Sequence, residues 1–147
     1  LVPDAENAIT SNAGWDTIKN SDFLTEIILE FKQNNIRTSV FLDPNLNQVE
    51  GAKATGADRI ELYTEDFAHQ YNLGNLDAIQ PYIECAEFAI SFSLGVNAGH
   101  DLSLDNIKFF KDNIPNRLEV SIGHALISES LYLGIENVVN MYLHRLK

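Results

Sequence analysis

The sequence predicts an α/β fold built on a parallel sheet, and three observations carry that expectation. Strand-like and helix-like segments alternate four times after an opening helix. The strand segments are too uniformly apolar to be half exposed, as expected when helical crossovers cover both faces of a parallel sheet. Each strand segment also ends, at its C-terminal edge, in residues able to do chemistry.

The elements follow in order. Residues 22–33 place Phe23, Leu24, Ile27, Ile28 and Phe31 on one helical face, with Ser21 and Asp22 as the start signal. "TSVFLDP" reads as a buried strand over 38–42, broken by Pro44. A short helix over 45–55 stops at Gly56, and "RIELYT" is the next strand. Leu76, Ile79, Ile83, Ala86 and Ile90 recur at spacings of three and four, which predicts a long helix ending near Gly95. The strand "GVNAGH" follows. Leu104, Ile107, Phe110 and Ile114 line another helix, which Pro115 ends, and "RLEVSI" is the last strand. The final helical region, 125–146, is interrupted at Gly134 and resumes with Ile135, Val138, Val139 and Tyr142 on one side.

Composition narrows the function. A chain of 147 residues with 45% apolar content fits one domain with a real core. Its 21 acidic against 10 basic side chains give a net charge of −11, which repels polyanions and argues against nucleic acid as a partner. Phosphorylated small molecules stay open, because local backbone amides bind them whatever the net charge. The single cysteine, Cys85, has no internal disulfide partner and agrees with a reducing compartment. No apolar run approaches the roughly 20 residues of a membrane span, so no membrane partner is expected.

Two architectures compete. Length alone favours an open doubly wound sheet, since a closed (β/α)₈ barrel takes about 250 residues. The polar residues weigh the other way: Thr10 and Asn12 after "LVP", Asp43 after "VFL", Glu61 and Tyr63 around "RIEL", Asn97 and His100 after "GV", Gly123 and His124 after "VSI". In a barrel these converge on one mouth, whereas an open sheet gathers its ligand at a single switch point. The distribution favours a TIM barrel whose first strands lie outside this sequence.

The individual candidates carry two readings each. His100, with only Ala98 and Gly99 beside it, offers an imidazole, the side chain most used for acid–base work, with room for a substrate to approach, or it is a hydrogen-bonded structural histidine. Glu61 inside its strand is a partly buried carboxylate that needs a basic partner or a substrate group, or it belongs to a core salt bridge. Gly123 and His124 open a helix whose free N–H groups suit phosphate, or they make a tight turn and a cap. Thr10 lies in a polar loop, where threonines commonly only shape turns. His69, His144 and Cys85 read as structural.

Four motifs, "VFLDP" at 40–44, "ADRIEL" at 57–62, "NAGHDL" at 97–102 and "SIGHALI" at 121–127, resemble in order those of the pyridoxine 5'-phosphate synthase family. The resemblance covers essentially the whole chain, "LVPDAENAITSNAGWD" included. It implies a (β/α)₈ barrel to which this chain supplies roughly strands 4 to 8 and their helices, with "LVP" as strand 4. It also implies condensation of 1-deoxy-D-xylulose 5-phosphate with 3-amino-1-hydroxyacetone 1-phosphate, without metal or organic cofactor, in a cytoplasmic homo-oligomer, an octamer in the family. By the same resemblance His100 is a proton donor and Glu61 polarises or stabilises the reacting species. Thr10 contacts the deoxyxylulose phosphate, and Asp101, Gly123 and His124 line the aminoketone phosphate site. The family's remaining proton acceptors and phosphate-binding arginines are expected upstream of Leu1.

Four positions depart from the family pattern, one of them Asp4, which stands where glutamate is common and is given no role. Asp101 stands where glycine is common, and its carboxylate would oppose a phosphate, so contact through its backbone with the side chain turned away is expected. Tyr63 and Glu65 stand where histidine and glycine are common. A non-catalytic half-barrel that keeps only the phosphate pocket is the alternative from another class. Another phosphate-binding barrel enzyme is also possible, although none of Lys19, Lys32, Lys53, Lys108, Lys111 or Lys147 sits at a strand end for Schiff-base chemistry.

Overall fold

A computed structural model describes residues 1–4, 9–115 and 118–147. Its centre is a parallel sheet in the order β1-β2-β3-β4, formed by β1 (Ser39–Leu42), β2 (Arg59–Leu62), β3 (Gly95–Gly99) and β4 (Leu118–Ser121). Each strand pairs with the next in sequence, Phe41 opposite Glu61, Glu61 opposite Asn97, and Asn97 opposite Glu119. Helix α1 (Ser21–Gln33) precedes β1 and α2 (Leu46–Ala54) follows it. Between β2 and β3 come α3 (Glu65–Asn72), a 3₁₀ turn (Leu76–Ile79) and α4 (Gln80–Ser91). Helix α5 (Ile107–Asn113) joins β3 to β4, and α6 (His124–Leu133) and α7 (Ile135–Arg145) complete the chain. The α/β alternation with a parallel sheet is therefore as the sequence predicts.

Alternation along the strands separates two faces. Val40, Leu42, Ile60, Leu62, Val96 and Ala98 point to the helices and are buried with Leu24, Ile28, Phe67, Tyr82, Ile107 and Phe110. Each fully buried aliphatic side chain there contributes about 1.5–3 kcal/mol. Cys85 is buried among them, and desolvation raises its thiol pKa to about 11, so it belongs to the core as expected. The other face carries Phe41, Arg59, Glu61, Asn97, Glu119 and Ser121.

Three features differ from the sequence expectation. Leu1 pairs with β1, its N-terminal ammonium donating to the Ser39 carbonyl and its carbonyl accepting from the Phe41 N–H, but no strand is assigned to "LVP". Proline explains why: Pro3 has no N–H to continue the ladder, and Trp15 N–H donates to the Phe41 carbonyl instead. Helix α3 is unanticipated, since only Phe67 and Ala68 of its eight residues are buried. The long helix expected from Leu76 begins as a 3₁₀ turn and becomes α-helical at Gln80. The break at Gly134 is borne out, with φ +81° separating α6 from α7, a conformation that glycine adopts without steric penalty. The first residue of the expected strand "RLEVSI", Arg117, lies outside the described residues.

Ionic contacts gather at the N-terminal end of the sheet. Arg37 grips Glu119 with two hydrogen bonds of 3.0 and 2.8 Å, and the Arg59 guanidinium lies 3.2 Å from the same carboxylate. Asp58, just before β2, accepts from the Thr38 N–H at 2.8 Å and its hydroxyl at 3.0 Å, with Lys32 3.6 Å away. Burial alone would raise the Asp58 pKa, but these hydrogen bonds and Lys32 outweigh it and hold the carboxyl below the usual 3.8. A depressed folded-state pKa stabilises the fold above the unfolded value and ceases to do so as pH falls through the folded one. Asp58→Asn is thus expected to flatten the loss of stability on acidification below about pH 4, measured by chemical denaturation across pH. An equally steep acid limb in the variant would remove Asp58 from that role. Among the described residues no helix is long and apolar enough to cross a membrane.

Candidate active site

The C-terminal ends of the strands carry the polar constellation. β3 ends at Gly99, which must be glycine: a Cβ there would lie 2.0 Å from the Ser121 carbonyl oxygen of β4. The buried Thr64 hydroxyl donates to the Gly99 carbonyl and accepts the Asp101 N–H at 3.3 Å, tying the turn after β3 to the turn after β2. Between these anchors His100 takes a left-handed backbone, φ +43°, uncommon outside glycine and tolerated best by Asn, Asp and His. Its side chain is thereby fixed by the loop rather than by strand alternation.

The imidazole is held at both nitrogens. Nε2 lies 2.8 Å from Thr10 Oγ1, a residue 90 positions away in sequence, and Nδ1 lies 2.9 Å from Asp101 Oδ2. The Tyr63 ring meets it edge-on at 5.9 Å between centroids, and the His124 ring at 6.2 Å. A cleft of about 500 Å³ opens here, with Thr10, His100, Asp101 and His124 in its wall beside Glu65 and His69 of α3. A larger groove of about 740 Å³ runs along α7 past Asn137 and His144, but none of the sequence-derived candidates faces it. The polar constellation, rather than volume, makes this cleft the candidate site.

Four of the six predicted residues thus come together. Gly123 precedes α6 at the same edge, with open space where a Cβ would be and no side-chain bond over the helix start. Glu61 stands outside the cleft wall. It pairs with Asn97, three residues before His100, which places it about 10 Å lower on the sheet. Its carboxylate accepts from the Ser121 hydroxyl at 3.3 Å.

Asp101 requires a correction. Its side chain is not turned away: it reaches the His100 ring and lines the cleft, while its backbone N–H is used by Thr64. The left-handed turn at His100 is the cause, because it brings consecutive side chains to the same side. His69, read from sequence as a surface residue, is exposed but borders the cleft. Glu65 accepts from the Tyr63 hydroxyl at 3.3 Å. Tyr63 has its pKa raised to about 12 by burial first and by Glu65 and Asp101 next, which keeps the phenol protonated near neutrality. The signal that could have found this edge of the site is the acidic pair Glu65 and Asp66 directly after Thr64, the pattern of a helix start.

An imidazole framed by a hydroxyl and a carboxylate, at the C-terminal ends of parallel strands and near a helix start, gives an α/β protein a candidate site at its strand ends. The profile of the family described as pyridoxal phosphate biosynthesis protein PdxJ matches residues 1–147, and the chain belongs to that family. Among curated relatives, the pyridoxine 5'-phosphate synthase of Flavobacterium johnsoniae is 70% identical over 147 residues. Those of Christiangramia forsetii and Cytophaga hutchinsonii are 62% and 58% identical over the same length. In each case all of this chain is covered, and it spans 62% of the relative's length.

Proposed function

We propose that this chain carries part of the active site of a pyridoxine 5'-phosphate synthase, on a (β/α)₈ barrel of which it forms roughly strands 4 to 8. The reaction joins 1-deoxy-D-xylulose 5-phosphate to 3-amino-1-hydroxyacetone 1-phosphate, closing the pyridine ring and releasing phosphate and water. The observation that carries this reading is His100, held between Thr10 and Asp101 at a cleft shared with His124. Ring closure needs protons delivered to leaving oxygens, and an imidazole anchored at both nitrogens is suited to that delivery.

In this reading His100 donates the proton. Thr10 contacts the deoxyxylulose phosphate, and the start of α6 at Gly123 and His124 takes the aminoketone phosphate on free backbone N–H groups and the positive end of the helix dipole. Glu61 stabilises charge on the reacting species from below. The names of the relatives and the family support the pathway. Their greater length supports a source for the remaining strands and phosphate-binding arginines. By the same likeness the assembly is a homo-oligomer in the cytoplasm and works without metal or organic cofactor. The test is ring formation by the full-length protein. Both substrates together should yield pyridoxine 5'-phosphate and inorganic phosphate, with neither formed when one substrate is omitted. Folded protein that binds both substrates and forms no product would overturn the proposal.

A further inference from the structure

We propose that Asp101 is a positioning residue that fixes the tautomer of His100, so that Nδ1 keeps its proton and Nε2, facing Thr10 and the cleft, is the nitrogen that takes up and releases the exchanging one. The assignment follows from donor and acceptor inventory. A carboxylate only accepts hydrogen bonds, so the 2.9 Å contact between Asp101 Oδ2 and His100 Nδ1 requires a proton on Nδ1. Without it, two lone pairs would face each other at that distance. Thr10 offers a hydroxyl, which both donates and accepts, so the 2.8 Å contact at Nε2 survives with or without a proton there. One nitrogen is locked and the other is free to change state.

The backbone that carries this carboxylate is itself held. Asp101 N–H donates to Thr64 Oγ1 at 3.3 Å, and its carbonyl accepts from Asn106 Nδ2 at 3.5 Å. The His100 and Asp101 side chains are only 24% and 25% exposed, so the pair is partly shielded from competing water. Tyr63 and His124 flank the ring and limit its rotation. The arrangement has the logic of an acid–base histidine oriented by a neighbouring carboxylate, here supplied by the next residue in the chain.

The proposal rests on the proton-donor reading only for its effect on turnover; the tautomer can be read independently. The full-length protein, with ¹⁵N-labelled histidine, is examined by long-range ¹H–¹⁵N correlation at a pH where the ring is neutral. Wild type should show His100 protonated at Nδ1, and Asp101→Ala should shift it toward the other tautomer. In the ring-formation assay Asp101→Ala should lower kcat by at least about tenfold, with KM held within about twofold. Asp101→Asn, which keeps an acceptor without the charge, should fall between. A neutral wild-type ring protonated at Nε2 overturns the proposal, as does unchanged kcat in a folded Asp101→Ala. If wild type makes no product, the functional reading fails while the spectrum still decides the tautomer. If Asp101→Ala does not fold, the wild-type spectrum decides alone.

Discussion

In the full-length protein, His100→Asn should lower kcat by about 10²-fold or more, the scale of a positioned general acid, while substrate affinity and melting temperature change little. Asparagine is the informative replacement for two reasons. It tolerates the left-handed backbone at this position, φ +43°, so the turn after β3 need not rearrange. Its amide can also keep a hydrogen bond to Thr10 or Asp101, but it cannot deliver a proton near neutrality. A loss confined to the chemical step is what proton donation requires. Steady-state kinetics and thermal unfolding of the two proteins check it. A lower melting temperature with the folded fraction still fully active would make His100 a structural residue.

Gly99→Ala should damage both stability and site. The added methyl would sit 2.0 Å from the Ser121 carbonyl oxygen and 2.6 Å from its hydroxyl. The nearest atom is backbone, so no side-chain rotation relieves the clash and β3 must move away from β4. Overpacking of this kind costs about 1–3 kcal/mol, occasionally more. For a chain of this size that lowers the melting temperature by roughly 2–12 °C. Because His100 hangs from β3 and His124 follows β4, separation of the strands also pulls the two rings apart from 6.2 Å. Calorimetry checks the first effect and the ring-formation assay the second. A variant with wild-type melting temperature would show that the two strands have slack the structure does not contain.

Much of the fold was legible because its strands are short apolar blocks closed by turn residues. The observed β1 and β2 fall inside the segments expected from "TSVFLDP" and "RIELYT". Helix α3 was hidden because its apolar content is two buried residues among polar neighbours, too few to show a period. "LVP" failed to become a strand because one proline removes the donor that a third ladder bond needs. The site was legible in kind but not in contact. Sequence position places Thr10, His100 and His124 at strand ends that share one edge, yet no spacing shows that Thr10 bonds the His100 ring or that the His124 ring meets it. The Asp101 side chain was misjudged because its direction depends on the φ of the residue before it, which no periodicity encodes.

The sheet's order also bears on how the chain assembles. Ser39 pairs with Arg59 20 residues on, Arg59 with Gly95 36 residues on, and Val96 with Leu118 22 residues on. Within this sheet of the described residues each strand pairs with its neighbour in sequence. Loop-closure entropy changes slowly with length, so these three closures differ little in difficulty. Folding by successive addition of neighbouring strands is therefore open from either end, and contact order stays moderate for a parallel sheet. Among the four described strands β3 is the member whose absence would divide the rest, since β2 and β4 both pair with it. The strand that presents the imidazole is thus also the one whose docking commits the two halves of the sheet to each other.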